Sequence, residues 1–530
     1  MIRIFRPATA LSALLLGLLP GAALADPPAG FVAHVEALRQ RSGSPGIAIA
    51  IVEHGQPTLV RGWGVREIGK PAPVDADTLF QIGSSGKAFT VAALALLVDR
   101  GQLGWDDKVI DHMPWFRMYD PWVTNEMTVR DLLTHRSGLG LGQGDLLFVP
   151  RASLSRRETV ERLRYMKPAT SFRSAYAYDN ILYTAAGQLI EEVSGKSWED
   201  FITDDLLRPA GMDRATATNE ARLADANRAH PHARVSGVIR GDGPITALDE
   251  RAVYISANAA PAGGLALSAD ELARWLQIQL GHGALPGGGR LYSEAAAKEM
   301  WTPVTPMPVA EWPAPIDAAL PSYNSYALGW TVEEYHGVTV IEHGGGVYGS
   351  ITMVVLLPDQ DVGFAIVVNS EESELRRGLM YELLDHYTGR PPEDWFGRFD
   401  SFMNAMVDGG KAALAAAHGE AAPGGPSLPL DRYVGTYRDP WYGDVVVGRD
   451  GDGLTIDFTT TPNMKGRLEP YQYDSFVTRF SDTDIENAIV TFQLNDDGSV
   501  DRVKMRVESP IADFSYDYRD LDLRPVENAR

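Results

Sequence analysis

The 530-residue chain is 45% hydrophobic and 22% charged, the balance of a folded protein rather than a disordered or fibrous one, and at roughly 150 residues per domain it has room for two or three units. A net charge of −22, with no clustered run of Lys and Arg, argues against nucleic-acid binding, which depends on neutralising phosphates. The absence of cysteine excludes disulfides, thiolate metal sites, a cysteine nucleophile and lipid attachment at a cleavage-site cysteine.

Arg3 and Arg6 precede an apolar stretch at residues 8–19, and Ala23-Leu24-Ala25 offers small residues for cleavage. Residues 1–25 therefore read as an export signal peptide, their apolar run being shorter than the ~20 residues a membrane span needs. The mature protein is expected in the periplasm or secreted, with no stable membrane anchor. Next come a short amphipathic helix at 31–41 and a β-rich run at 46–52. The turn residues His54-Gly55-Gln56-Pro57 then lead to Leu59-Val60, which suggests an edge hairpin.

An apolar helix is predicted over 84–97, a second from Thr128 with Asp131 completing a capping box, and a third over 181–193 stopped by Gly195. Runs of β-branched residues at 338–341, 351–357 and 362–368 predict sequential antiparallel strands. An alanine-rich stretch passing into Gly- and Pro-rich sequence marks a linker at 406–430, between a first domain at 26–405 and a second at 431–530. The second reads as almost wholly β, with strands at 433–437, 444–447, 454–458, 488–494 and 500–507, as in a small barrel or sandwich.

Three short patterns carry chemistry. In Ser84-Ser85-Gly86-Lys87 the serine and lysine lie one helical turn apart on one face. Serine is a weak nucleophile until a neighbour takes its proton, and a lysine does so once its pKa is lowered. At a helix N-terminus the Ser84 N–H also suits an oxyanion donor. In Tyr178-Asp179-Asn180, a tyrosine near Lys87 could exist partly as phenolate and exchange a proton with Ser84, while Asn180 could contact a substrate amide. In His343-Gly344-Gly345, followed by Gly346 just before a β-run, glycines admit substrate to a strand edge and the Gly346 N–H suits a second oxyanion donor. Each pattern alone has a plainer explanation: a capped helix end, a packed tyrosine, a glycine turn.

Together, in this order, they resemble the serine β-lactamase and penicillin-binding superfamily, most of all class C β-lactamases and their D-aminopeptidase, D,D-carboxypeptidase and family VIII esterase relatives. Val129-Arg130-Asp131-Leu132-Leu133-Thr134-His135-Arg136-Ser137-Gly138-Leu139, Pro261-Ala262-Gly263-Gly264-Leu265 and Tyr326-Ala327-Leu328-Gly329-Trp330 fit the same resemblance, which covers about residues 30–390. It implies an α/β fold, an antiparallel sheet flanked by helices with an all-helical subdomain and the active site between them. It further implies acylation of Ser84, proton transfer shared by Lys87 and Tyr178, substrate contact by Asn180, and His343, Gly344 and Gly345 in the third motif. His135 stays outside the catalytic set, as part of a structural turn. Leu430-Asp431-Arg432-Tyr433-Val434-Gly435-Thr436-Tyr437 is similar to the opening of lipocalin-like β-domains appended to some of these peptidases.

Class C β-lactamases have Lys-Thr-Gly where this chain has His343-Gly344-Gly345. A histidine charges only near or below about pH 6.5, which weakens recognition of a substrate carboxylate at neutral pH. The expectation is an exported peptidase acting on short linear or D-residue-containing peptides. A carboxylesterase of small acyl esters comes second, a β-lactamase third, and a catalytically silent peptide- or cell-wall-fragment-binding protein is the alternative of another class. No metal or cofactor is expected, since His230-Pro231-His232 reads as a loop with two exposed histidines and the glycine runs match no nucleotide motif. Substrate side chains stay open, because loops 140–149 and 303–321 would wall the pocket, and so do the second domain's role and homo-oligomerisation.

Overall fold

In the computed structural model the structure describes residues 27–526 apart from Val253 and Pro423; the expected signal peptide lies outside them. The main sheet is antiparallel and contains β1 (Gly46–Glu53), β2 (Gln56–Gly64), β3 (Thr305–Pro306), β4 (Tyr323–Tyr326), β5 (Thr331–Tyr335), β6 (Val338–Val347), β7 (Ser350–Leu357) and β8 (Val362–Val368). Its spatial order is β2-β1-β8-β7-β6-β5-β4-β3. The N-terminal hairpin therefore joins the late strands through β1 and β8, with Ile47 opposite Val368.

Its longer helices are α1 (Phe31–Ser42), α2 (Lys87–Asp99), α3 (Ile181–Ser194), α4 (Ala269–Leu280), α5 (Ser373–Tyr387) and α6 (Trp395–Gly419). Side chains alternate across a strand, and β1 is buried on both faces. Ile47, Ile49 and Ile51 join an outer core with residues of α1, α5 and α6, while Ala48, Ala50 and Val52 join an inner core with residues of α2, α3 and α4. This two-sided cover explains why the strand is continuously apolar. Helix α2 is buried from Lys87 to Leu97, as an all-apolar helix must be. Around α2 and α3 lies the helical region, including Val129–Leu133, which starts from the expected Thr128–Asp131 capping box.

The linker prediction is corrected in its first half. Residues 406–419 continue α6, because alanine is the strongest helix former, and the chain leaves the helix only after Gly419. The second domain comprises β9 (Gly435–Asp439), β10 (Gly443–Asp450), β11 (Gly453–Phe458), β12 (Lys465–Gln472), β13 (Ser475–Phe480), β14 (Ala488–Leu494), β15 (Val500–Val507) and β16 (Arg524–Pro525). Their order is β15-β14-β13-β12-β11-β10-β9-β16, and a bridge from Leu523 to Val503 nearly closes the barrel. Its core, with Tyr433, Trp441 and Phe458, is continuous with the inner core of the first domain. No helix among the described residues is long and apolar enough to cross a membrane.

One buried carboxylate locks α5 to α6 and to the sheet. Asp385 accepts hydrogen bonds from the Tyr335 hydroxyl at 2.8 Å, the Trp395 indole at 2.6 Å and Arg390 at 3.1 Å. Asp385→Ala would leave these donors unmatched and is expected to lower unfolding free energy by about 3 kcal/mol. In urea this should appear as a lower midpoint at unchanged slope; a midpoint within error of the unmutated protein would refute it.

Candidate active site

The Gly83–Gly86 3-10 turn runs directly into α2 and sets Ser84 at the helix mouth. Lys87, one turn on, is fully buried. Its ammonium donates to Ser84 Oγ at 3.0 Å, to Asn180 Oδ1 at 2.7 Å and to the Ala262 carbonyl at 3.0 Å, and lies 4.7 and 5.1 Å from the ring centres of Tyr178 and Tyr183. Burial drives its pKa down from 10.5 to about 7, against the opposing pull of Asp145 and Asp179. Lys87 is thus a base poised near neutrality.

Tyr178 lies beside this pair, with part of its ring at the cleft surface. Burial of its hydroxyl raises its pKa well above 10, and a hydrogen bond with Ser84 offsets this only in part. The expectation of a partial phenolate is thereby corrected: Tyr178 keeps its proton and can act only as a donor until another group removes it. His135 packs behind it with ring centres 4.3 Å apart, and its Nδ1 accepts the Asp179 N–H at 3.2 Å. Asn180 accepts from Lys87 and donates to Asp145 Oδ2 at 2.8 Å, so both ends of its amide hold the site together.

His343-Gly344-Gly345-Gly346 is part of β6, which runs on past the expected end at residue 341. β6 pairs with β5 only up to Glu342 but with β7 up to Val347, which leaves its last residues without a strand on the β5 side. A Cβ at Gly345 would collide with the Ile82 carbonyl, one at Gly344 would press on Arg376, and one at Gly346 would meet open space. Gly344 and Gly345 are therefore needed for packing, and Gly346 faces the cleft. The expectation that the His343 side chain contacts substrate is corrected. It is buried, its Nδ1 donates to the Gly344 carbonyl at 2.6 Å, and its Nε2 accepts from Tyr326 at 2.8 Å. Burial and the nearby Lys87 charge push its pKa down to about 3, so it is neutral near pH 7.

Residues that sequence reasoning missed complete the site. Asp145 is buried in loop 140–149, and burial pushes its carboxyl up to about 7 against hydrogen bonds from Asn180 and Ser515. Ser515 belongs to the second domain, and its hydroxyl donates to Asp145 Oδ2 at 2.8 Å. Asp517 accepts the N–H groups of Gly144 at 2.6 Å and Leu146 at 3.1 Å. Phe514 stands against Tyr178 with ring centres 5.9 Å apart. At Gly142, φ is +66° and a Cβ would come within 2.7 Å of the Phe514 ring, so only glycine fits. The signal available was Gly140, Gly142 and Gly144 in one loop, which marks a close approach without naming its partner.

His230-Pro231-His232 is corrected as well. His232 is buried, with Nδ1 2.8 Å from the Asn369 carbonyl and Nε2 accepting the Ile68 N–H at 3.0 Å, while His230 lies 3.6 Å from both Glu67 and Glu250. Among the described residues no cluster of His, Cys, Asp and Glu could hold a metal ion.

A family model described as Beta-lactamase matches residues 31–387, and one described as a domain of unknown function (DUF3471) matches residues 420–525. An unguisins hydrolase of Aspergillus campestris is 27% identical over 88% of this chain and 87% of its own length. Penicillin-binding protein 4 of Amycolatopsis lactamdurans is also 27% identical, over 68% of this chain and 90% of its own. Among solved structures, the octameric penicillin-binding protein homologue from Pyrococcus abyssi superposes with a TM-score of 0.57 at 21% identity, covering 90% of this chain and 99% of that one. The D-amino acid amidase from Ochrobactrum anthropi SV3 gives 0.51 at 18% identity, covering 64% and 91%. At these identities the solved structures show the fold alone.

Proposed function

The chain belongs to the Beta-lactamase family of serine hydrolases, and from that premise we propose that it cleaves short peptides, including ones with D-residues, through an acyl-enzyme on Ser84. The observation that carries this reading is the 3.0 Å contact between a dry Lys87 and Ser84. Neutral Lys87 takes the Ser84 proton as Oγ attacks the carbonyl carbon; the Ser84 and Gly346 N–H groups hold the oxyanion; Tyr178 passes its proton to the leaving amine and is reprotonated from Lys87. Water then attacks the acyl-enzyme by the reverse route.

Peptides are preferred over β-lactam antibiotics because the third motif supplies no cation of its own: His343 is neutral and turned to Tyr326. The name of one relative, an unguisins hydrolase, supports hydrolysis rather than silent binding. Export to the periplasm or outside the cell rests on Arg3, Arg6, the apolar run and Ala23-Leu24-Ala25.

A panel of D-amino-acid amides, linear peptides, nitrophenyl esters and nitrocefin is expected to show highest kcat/KM on amides or peptides with a D-residue. Turnover of esters alone would replace this reading with a carboxylesterase. Failure of a fluorophosphonate and a penicillin to label the protein would leave only a binding role.

A further inference from the structure

The second domain touches the first at the 140–149 loop. Its segment 514–517 bridges that loop and the turn between β6 and β7. On one side Ser515 and Asp517 grip residues 144–146; on the other the Tyr516 hydroxyl lies 3.2 Å from that of Tyr348, in the turn between β6 and β7. The gripped loop also holds the catalytic tyrosine, since the Gly142 N–H donates to the Tyr178 carbonyl at 2.9 Å.

We infer that the barrel is a working part of the catalytic centre: Ser515 and Asp517 hold Asp145 against Asn180, and through that amide Asp145 positions Lys87 and steadies its ammonium. The inference rests on the reading of Ser84 as nucleophile and Lys87 as its base. Asp145 touches neither substrate nor reacting atoms and is a positioning residue.

The chain of contacts is continuous: Ser515 hydroxyl to Asp145 Oδ2, Asn180 Nδ2 to that same oxygen, and Lys87 Nζ to Asn180 Oδ1. The Asp145 Oδ1 atom is buried with no hydrogen-bond partner. Its charge therefore depends on the two bonds at Oδ2 and on Lys87. The groups facing Lys87 are Asp145, Asp179, Tyr178, Tyr183, His135 and His343; those facing Asp145 are Lys87, Tyr178, Asp513 and Asp517. Among the groups facing Lys87, the two carboxylates are the anions that favour its protonated form, and Asp145 is the one whose hydrogen bonding the second domain controls.

The sign follows. An ionised Asp145 keeps a proton on Lys87, so removing the carboxylate, or removing the hydroxyl that favours its ionised form, frees the lysine at lower pH. The test is the rate at which a fluorophosphonate labels Ser84 in the full chain, followed by mass spectrometry from pH 5 to pH 9. In the unmutated protein this rate is expected to rise through about pH 7. Asp145→Asn, close to isosteric, should move the limb down by about one unit, and Ser515→Ala by about half a unit. Both should slow labelling at pH 8 by roughly 10-fold, through looser placement of the base. Ser515→Thr keeps the hydroxyl and should restore the limb.

A limb unmoved in both variants overturns the inference whatever happens to their thermal stability, since a merely structural contact would leave it in place. If Ser515→Ala does not fold, Asp145→Asn alone decides. No labelling of the unmutated protein would instead overturn the assignment of Ser84, a distinct result.

Discussion

Ser84→Ala is expected to lower kcat/KM on the best substrate by roughly 10⁴- to 10⁶-fold while leaving the fold unchanged. The hydroxyl is the group that forms the bond to the acyl carbon, and among the described residues no other serine or threonine is placed to replace it. Ser85, the nearest, is buried and turns its Oγ away to the His343 carbonyl at 3.0 Å. The residual rate would come from whatever oxyanion donors and binding remain. Because Ser84 sits at the surface end of a turn whose backbone carries the packing, near-ultraviolet circular dichroism and the melting temperature should match those of the unmutated protein. Mass spectrometry should find no acyl or phosphonyl adduct on the variant. Activity retained above a tenth would sink the nucleophile assignment.

Lys87→Met is expected to cost roughly 10³- to 10⁴-fold in kcat, the range of a lost general base, and at the same time to stabilise the protein. In the unfolded chain Lys87 holds its proton up to about pH 10.5; folded, only to about 7. Between those values the unfolded state binds more protons, so stability rises with pH across that window, and below about 7 the whole cost of burying the amine is present. Methionine carries no such cost. The variant should therefore gain about 1–3 kcal/mol at pH 7, after losing the lysine's hydrogen bonds, and the gain should shrink toward pH 10.5. Chemical denaturation at pH 7 and pH 10 measures it; a variant less stable at pH 7 than the unmutated protein would mean that Lys87 is a paired structural cation rather than a strained base.

Local features were legible in the sequence and distant ones were not. The Ser84–Lys87 spacing, the Thr128–Asp131 capping box and the apolar runs of β1, β7 and β8 depend on neighbours a few residues apart, and the structure brings them into the expected elements. β12 went unseen because Lys465–Gln472 mixes charge, glycine and proline with little alternation. The burial of His343 beside Tyr326 was not legible, because a position in a motif says nothing of packing. Asp145 and Ser515 lie 370 residues apart in sequence, and no periodicity links them. The general lesson is physical: acid–base character follows solvent exclusion, which only the folded chain defines.

The clasp of Ser515 and Asp517 on the Asp145 loop also sets an order in time. Asp145 precedes Ser515 by 370 residues, so in an emerging chain the first domain is complete before the barrel is. A nascent first domain would hold its nucleophile while the loop that steadies its base still lacked its anchor. Competence would arrive only when the barrel docks, so that a copy truncated before Ser515 would be a poor hydrolase.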